Sequence, residues 1–428
     1  MNPWQGILRL AGLQADFEII DEKIFTKLSK AVYYLRRKKR HGRCSGCGAH
    51  CTRIHSTDKV TLRDQSAFGY EINWVLPRYT LKCDECKRTL VEDHWLWRAR
   101  RHFTWRYECQ VSEMCEEMTN IAVARLEGLH DTTVYNIDYE LLRLRIERQE
   151  LPKNIGPHYN MDEVYFHYFK DDDPRKPTSF VTNLVDLTHR KVILNAPGRA
   201  QASAEACLLG LSEEQRNKMQ SISIDMHDAF YNAVKKLCPR AQVVLDRFHI
   251  MKLFNEAMND FRKRQFSMTT DEDEKRLLRG QNRWILLASP DNLSHKDRGL
   301  LDEIKALNER VLEACLIREH FVSFFDSLNE ETAKIRWAVL EQLVSEADIR
   351  EFSKFFKNLK KWMSEIWDYF KYKTSSAVIE ALNHKIKTTK AAAYGYRNLY
   401  YFRLKILQRV GFLNSNFAPL PTRRPSHA

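Results

Sequence analysis

The sequence lacks any apolar run long enough to cross a lipid bilayer, and its first residues, MNPWQGILRLAGLQADFE, lack the layout of a secretory signal. It also contains no internal repeat and no low-complexity tract. These absences predict a globular protein of the cytoplasm that does not contact membranes. With 428 residues, of which 43% are hydrophobic, the chain is long enough for about two to four domains with apolar cores.

Acidic residues are in deficit relative to basic ones. The 56 Asp and Glu residues stand against 69 Lys and Arg residues, which gives a formal net charge of +13. Such a surplus suits a polyanionic partner, and nucleic acid is the most common one. A surface that is merely basic would give the same composition, so the partner must be identified from motifs.

The cysteines are too unevenly placed for a disulfide framework. Five of the ten fall between Cys44 and Cys86, and the other five are scattered. Cys44-x-x-Cys47 and Cys83-x-x-Cys86 are matched pairs that together offer four thiolates to one Zn²⁺, which predicts a zinc ribbon. Redox chemistry is the weaker alternative. Alternative ligands lie nearby: Cys51, His55 and His94.

A metal-held module gains folding free energy from its ion and can expose basic side chains around a rigid turn. The ribbon therefore offers these residues to DNA: Arg43, Lys82, Lys87 and Arg88. Between the cysteine pairs, alternation over residues 60–82 predicts two or three strands.

Helical periodicity continues from Trp105 to about residue 150, and Gly128 interrupts it. Two short helices around a tight turn are typical of a helix-turn-helix, with Asp131 as the N-cap of the second helix, although an ordinary helical hairpin shares the pattern. In a helix-turn-helix the second helix enters the major groove. The residues then predicted to contact DNA are Thr132, Thr133, Tyr135 and Asn136.

Strand-like runs return between residues 157 and 250, with helical stretches at 202–220 and 228–237. Asp162 lies in the run MDEVYF, Asp225 ends SISID and Asp246 ends AQVVLD. A single acid after a strand is usually a turn former or a helix cap. In an α/β sheet with this strand order, however, Asp162 and Asp225 lie side by side, and a divalent cation relieves their repulsion.

A third acid lies far downstream, on a predicted helix over residues 374–390. Glu380 shares one face of this helix with Asn383, opposite an apolar stripe. An ordinary amphipathic helix with a solvated Glu is the alternative. The intervening residues 250–370 are almost wholly helical and predict a separate domain. Its tryptophans fall in apolar periodic runs, which predicts core positions for Trp284, Trp337, Trp362 and Trp367.

Together these motifs resemble a bacterial insertion-sequence transposase of the DDE class, in particular the ISL-three family. The resemblance covers about residues 8–410. It rests on the helix-turn-helix segment and on these stretches: CSGCG, KCDEC, MDEVYF, SIDMHDAF, LDRFHIMKLFNEA, NRWILLASPDNL and IEALNHKIKTTKAAAYGYRNLYYFRLKIL.

The resemblance implies a multidomain α/β fold, in which an RNase H-like catalytic core is interrupted by an all-helical insertion and preceded by a zinc ribbon and a helix-turn-helix. The implied divisions are an N-terminal segment (1–40), the ribbon (41–105), the helix-turn-helix domain (106–155), the first part of the core (156–255), the helical insertion (256–368), the closing part of the core (369–412) and a flexible tail (413–428).

The resemblance also implies a catalytic triad of Asp162, Asp225 and Glu380 that holds two Mg²⁺ or Mn²⁺ ions. Asp246 and His249 in DRFH match an element next to the active site, and Asp246 is the main rival as a metal ligand. Basic residues around the last acid are implied to neutralise DNA phosphates: Lys385, Lys387, Lys390 and Arg397.

The implied function is a transposase that binds the terminal inverted repeats, cleaves the ends and joins the 3′ ends to target DNA. Its implied partners are double-stranded DNA, as transposon ends and target, and further copies of the chain in a homodimer or a larger synaptic complex. The implied location is the bacterial nucleoid. Two alternatives remain open: a DNA-binding regulator without catalysis, and a nuclease or resolvase of the same fold that does not join strands.

Overall fold

The computed structural model describes residues 5–98, 101–148, 150–152, 154–166, 180–288, 292–372 and 376–414. The predicted flexible tail, 413–428, lies outside these residues except for its first two positions. The chain forms two compact units, the first from residues 1–150, 392–396 and 400 onward, and the second from residues 151–391 and 397–399. Both helices and sheets are present, so the prediction of a mixed α/β, multidomain protein is confirmed.

The first unit is built around a seven-stranded sheet. A short helix, α1 (Gln5–Leu10), precedes the strands. In chain order these are β1 (Phe17–Phe25), β2 (Lys30–Arg37), β3 (Gly42–Cys44), β4 (His50–Cys51), β5 (Ile54–Arg63), β6 (Glu71–Lys82) and β7 (Thr89–Asp93). Their order in the sheet is β1-β2-β6-β7-β3-β4, and β5 pairs with β6.

The N-terminal segment 1–40, predicted as a division of its own, contributes two strands to this sheet. A buried ion pair joins it to the ribbon: the Arg37 guanidinium donates to both carboxylate oxygens of Glu92, at 2.5 and 2.8 Å. Glu92 also accepts the backbone N–H of Tyr79 at 2.7 Å. Backbone pairing of β1 with β2 and of β2 with β6 makes both strands part of this sheet, and the ion pair adds a buried contact that is costly to break.

Three helices follow the sheet: α2 (Trp105–Glu117), α3 (Asn120–Glu127) and α4 (Asp131–Arg148). Gly128 ends α3 in the left-handed conformation, with φ of 61°, which an L side chain adopts only with strain. The prediction of two helices around a glycine turn is thus confirmed. Asp131 is the first residue of α4 rather than its N-cap, and its carboxylate accepts the N–H of Thr132 at 2.7 Å.

The second unit begins with a five-stranded sheet and its helices. In chain order the elements are β8 (His158–Tyr165), β9 (Phe180–Asp186), β10 (Lys191–Pro197), α5 (Gln201–Leu209), α6 (Glu213–Asn217), β11 (Ser221–Ile224), α7 (Asp228–Leu237), β12 (Gln242–Leu245) and α8 (Arg247–Met268). The strand order is β10-β9-β8-β11-β12. The first three strands are antiparallel, and β11 is parallel to both β8 and β12.

A helical region follows without a break at the predicted boundary, because α8 runs through residues 255 and 256. Its further helices are α9 (Glu272–Leu278), α10 (Arg283–Leu287), α11 (His295–Leu307), α12 (Glu309–Phe325), α13 (Glu330–Ala347), α14 (Arg350–Leu359) and α15 (Met363–Tyr372). Aromatic rings form its core, with Phe254 of α8 stacked on Phe352 at 5.2 Å. No helix among the described residues is long and apolar enough to span a membrane.

Of the tryptophans predicted to lie in this core, Trp337 is buried, and Trp362 and Trp367 are half-buried. For Trp284 the prediction is wrong, because 62% of the residue is exposed. Its ring packs instead against the guanidinium of Arg283, 4.5 Å from the ring centre. Periodicity alone did not distinguish this position from the core ones.

The last two helices are α16 (Ser376–Ala392) and α17 (Leu399–Val410). α17 packs on the helices of the first unit. The hydroxyl of Tyr401 and the ammonium of Lys405 both donate to Oδ2 of Asp138, at 2.6 and 3.1 Å, and Lys405 also donates to the Cys115 carbonyl at 2.6 Å. Residues 400–412, predicted within the closing part of the core (369–412), are therefore grouped with the first unit.

Candidate active site and metal centre

Parallel pairing places three acidic residues in one row across the second sheet. Met161 of β8 is in register with Ile224 of β11, and Ile224 is in register with Leu245 of β12. The next residue along the chain is acidic in each case: Asp162 within β8, Asp225 just after β11 and Asp246 just after β12. Since neighbouring strands lie about 4.8 Å apart, the three acids emerge close together at one edge of the sheet.

The start of α8 brings a histidine to the same edge. Asp246 is the N-cap of α8, and its Oδ1 accepts the N–H of Phe248 at 2.8 Å. The first turn then sets Nδ1 of His249 2.7 Å from Oδ2 of Asp225. Asp162, Asp225 and His249 offer ligand atoms that all lie within 4.8 Å of one another. Asp246 thus acts as a helix cap beside this group of three.

The electrostatics of the group follow from its burial and its crowding. Burial raises the pKa of Asp225 to about 6; the hydrogen bond from His249 opposes that rise, and the charge of Asp162 adds to it. Burial also raises the pKa of Asp246 to about 6. Burial alone would lower the pKa of His249, but its hydrogen bond to Asp225 and the surrounding acids raise it to about 9. The cluster of acids around Asp225 therefore stabilises a positively charged group next to it.

α16 reaches this group through an amide that sequence reasoning placed on the right face without assigning it a role. Nδ2 of Asn383 donates to Oδ2 of Asp162 at 2.5 Å. Ile379 and Ile386 are buried, which fits the predicted apolar stripe. Glu380, one turn before Asn383, is exposed, and its carboxylate lies outside the group of three.

The basic residues of the last segment differ in their surroundings. Nζ of Lys390 donates to the carbonyl of Tyr165 at 2.9 Å, so this side chain ties α16 to the end of β8. Lys385, Lys387 and Arg397 are exposed. These three side chains therefore remain accessible to phosphates.

The four cysteines of the predicted ribbon come together in the first unit. Their ligand atoms all lie within 4.8 Å of one another, with Cys44 and Cys86 sulfurs 3.6 Å apart and Cys47 and Cys83 sulfurs 3.6 Å apart. The backbone N–H groups of Cys86 and then Glu85 lower the pKa of the Cys83 thiol to about 6. A low thiol pKa provides the thiolate that zinc requires.

The nearby alternative ligands take other roles. Cys51 is buried, and its thiol faces the carbonyl of Ala49 at 3.6 Å. His55 is exposed, and the ring of His94 stacks on Trp97 with centroids 4.2 Å apart. Among the described residues of the first unit, the group whose ligand atoms come close enough to hold a metal ion consists of the two Cys-x-x-Cys pairs, without Cys51, His55 or His94.

The basic residues of the ribbon are all exposed: Arg43, Lys82, Lys87 and Arg88. Arg88 also hydrogen-bonds the Cys86 sulfur, and together with the backbone N–H of Arg88 this contact lowers the pKa of that thiol. Arg88 therefore supports the cysteine cluster as well as facing solvent.

The predicted DNA-contacting residues of α4 divide into two groups. Thr132 and Asn136 are exposed, and Thr133 is half-buried. Tyr135 instead packs within the unit, stacked on Tyr139 at 5.7 Å and edge-on to Tyr401 at 4.8 Å. Periodicity could not reveal this contact, because Tyr401 belongs to the distant helix α17.

Comparisons with known proteins agree with this arrangement. Residues 162–406 match a family model described as a transposase, DDE_Tnp_ISL3, and residues 97–141 match the helix-turn-helix domain of transposase family ISL3. The chain is 28% identical over 375 residues to the transposase for insertion sequence element IS1001 of Bordetella parapertussis, covering 87% of this chain and 90% of that one. It is 22% identical over 347 residues to the transposase for IS1557 of Mycobacterium tuberculosis, covering 74% of each.

Proposed function

Since the chain belongs to transposase family ISL3, and is therefore an enzyme that cleaves and transfers DNA, we propose that it binds the terminal inverted repeats of its insertion sequence, cleaves both ends and joins the 3′ ends to target DNA. One observation carries the proposal. Asp162 and Asp225 each follow one member of the in-register pair Met161 and Ile224, and Asn383 holds the helix that bears Glu380 against Asp162.

The donor set fits a divalent cation. The DDE family implies the use of such a cation, and carboxylate oxygens are the ligands that Mg²⁺ and Mn²⁺ prefer. Asp162, Asp225 and Glu380 would hold it. Burial and the negative charge of Asp162 raise the pKa of Asp225 to about 6, and a bound cation would relieve this electrostatic repulsion. When bound, the metal would activate the attacking hydroxyl and stabilise the leaving oxygen.

The protein's own residues position this chemistry. Asn383 donates to Oδ2 of Asp162, and the backbone N–H of Glu163 donates to Oδ1 at 2.7 Å, so both oxygens of this carboxylate are oriented by hydrogen bonds. His249 holds Oδ2 of Asp225, and its raised pKa keeps it positively charged at neutral pH. Asp246 caps α8 and so sets the direction of the turn that carries His249. Lys385, Lys387 and Arg397 supply exposed positive charge for DNA phosphates.

Recognition of the element's ends falls to the first unit. Thr132 and Asn136 lie exposed on the second helix of a helix-turn-helix, the element that enters the major groove in this motif. The ribbon adds the exposed Arg43, Lys82 and Lys87, with one Zn²⁺ held by its four thiolates. Two ends must be cut together, so the working form is a homodimer or a larger synaptic complex.

The test is a cleavage and joining assay with labelled end DNA, a plasmid target and Mg²⁺. Glu380→Gln keeps the size and exposure of the side chain but removes its charge. It should bind end DNA normally and lose both cleavage and joining. Glu331→Gln, an exposed glutamate on α13, is the matched control and should retain both.

Cleavage by Glu380→Gln at the wild-type rate would exclude Glu380 from the site. Cleavage without joined products in the wild-type protein would favour a nuclease over a transposase of this mechanism. The cleavage rate of Glu380→Gln thus tests the role of Glu380, and the joined products of the wild-type protein independently test the type of reaction.

A further inference from the structure

A groove of about 620 Å³ lies in the second unit next to the carboxylate row. One wall includes Met226, the residue after Asp225, and Leu253, one turn beyond His249 on α8. The opposite wall is α14 with the turn that follows it, as far as Trp362. The groove therefore begins beside the proposed catalytic residues and continues along α14.

One face of α14 lines the groove with polar side chains. Arg350, Lys354 and Asn358 are spaced four residues apart, so they follow one another along the same side of the helix, and all three are exposed. Trp362, which is half-buried, provides the aromatic surface of this wall, whereas Phe355 also lines it but is 8% exposed and packs on Phe321 in the helical core. The groove thus combines a polar rim with aromatic surface.

The cations of this groove are available to a ligand. Arg350, Lys354 and Lys361 form no ion pair with any other residue that the structure describes. Three positive charges along one wall of a groove attract a polyanion, because each can release condensed counterions from phosphates. The charge of this wall is therefore complementary to a nucleic-acid backbone.

Two of the three acids in the lining are neutralised within the protein. Glu351 accepts from Arg264 at 2.9 Å, and Asp260 lies 3.0 Å from Nζ of Lys263. The third, Asp228, is in the first turn of α7, where the helix dipole stabilises negative charge. The groove therefore keeps a positive excess despite its acidic residues.

We infer that this groove binds an unpaired DNA strand that continues from the phosphate at the carboxylate row. Phosphates lie against Lys354 and Lys361, and a base face lies against the half-buried ring of Trp362. A duplex hides its base faces in the stack, so aromatic surface between cations favours an unpaired strand. The inference rests on the proposed function, since it takes the row of acids as the place where DNA is cut.

The experiment uses the full chain with its zinc but without added Mg²⁺ or Mn²⁺, and it measures binding by fluorescence anisotropy over a range of salt concentrations. One probe is a blunt duplex of the element end, and the other is the same duplex with a short unpaired extension. The wild-type protein should bind the extended probe more tightly. Lys354→Ala should reduce that advantage and lower the salt slope by about 0.7 for the extended probe.

Trp362→Ala should weaken binding of the extended probe by about fivefold or more, with little change in the salt slope. Each variant has a matched control outside the groove. Lys357→Ala removes another exposed lysine of α14, and Trp284→Ala removes the exposed tryptophan of α10. Both controls should bind the two probes as the wild-type protein does.

Equal binding of blunt and extended probes by the wild-type protein would overturn the inference, as would equal losses in the groove variants and their controls. Cleavage and joining by the wild-type protein in Mg²⁺ are measured separately. If cleavage and joining occur while the groove variants bind like the controls, only the inference about the groove is wrong. If they do not occur, the proposed function fails, whatever the binding data show.

Discussion

Nδ2 of Asn383 lies 2.5 Å from Oδ2 of Asp162, although 221 positions separate the two residues in the sequence. This hydrogen bond joins α16 to the central strand of the second sheet. It also explains how α16, which follows the long helical region from α8 to α15, lies next to the row of acids. The amide is neutral, so it can orient the carboxylate without competing with a cation for charge.

Replacing this amide tests whether it positions Asp162. Asn383→Ala should lower the rate of end cleavage by about 10- to 100-fold, because partners that orient metal ligands have effects of this size. The Mg²⁺ concentration needed for half-maximal activity should rise as well. Thr388→Ala, at an exposed position of α16, is the control and should leave both quantities unchanged. An unchanged metal requirement in Asn383→Ala would show that the contact serves stability alone.

The ribbon offers a matched pair of cysteine variants. Cys83→Ser removes one of the four clustered thiols, so the protein should lose its zinc, and end binding should weaken because the ribbon loses the metal that holds it. Cys51→Ala changes a buried cysteine outside the cluster and should keep the zinc. Metal content and anisotropy binding check both. Full zinc content in Cys83→Ser would contradict the assignment.

Chelation should distinguish the carboxylate metal site from the four-cysteine zinc site. Brief treatment with a chelator should abolish cleavage and leave end binding intact, because carboxylate sites exchange Mg²⁺ more readily than four thiolates release Zn²⁺. Added Mg²⁺ or Mn²⁺ should restore cleavage. Prolonged chelation should also reduce end binding, and only Zn²⁺ should restore that. Recovery of binding with Mg²⁺ alone would argue against a zinc ribbon.

The buried pair of Lys405 and Asp138 predicts a link between the last helix and the helix-turn-helix. Lys405→Met leaves the Asp138 charge buried with fewer partners, so the free energy of opening α4 should fall by about 3–5 kcal/mol. Hydrogen exchange of the α4 amides measures this. The double variant with Asp138→Leu removes both charges and should recover part of the loss. A double variant less stable than either single one would refute this account.

The row of acids was predictable from sequence because strand order and residue position together determine it. Asp162, Asp225 and Asp246 each end or interrupt a recognisable strand pattern, and parallel pairing converts those positions into neighbours. The cysteine cluster was predictable for a similar reason, since each Cys-x-x-Cys pair is a local unit. The helical pattern of residues 374–390 placed Glu380 on a polar face, and family resemblance added its role in the triad and the element that contains His249.

Contacts between distant segments were not predictable. β1 and β2 carry many charged residues, and their place in the sheet follows from the pairing of β2 with the distant strand β6, next to which Arg37 meets Glu92. The membership of α17 in the first unit depends on Asp138, which lies 267 positions before Lys405. The sequence placed Asn383 on the face of Glu380 but gave it no role, because an amide on the polar face of a helix has no pattern that identifies its partner.

The position of α17 has a consequence for how the protein is made. The ribosome synthesises the cysteine cluster and the helix-turn-helix early, but the side chains that complete the core around Asp138 follow only after residue 400. The first unit, which we propose binds the ends of the element, therefore reaches its final stability only when the whole catalytic region has emerged. A chain that stops within the helical region would contain a first unit without α17. Such truncated products should therefore compete poorly for the ends of the element.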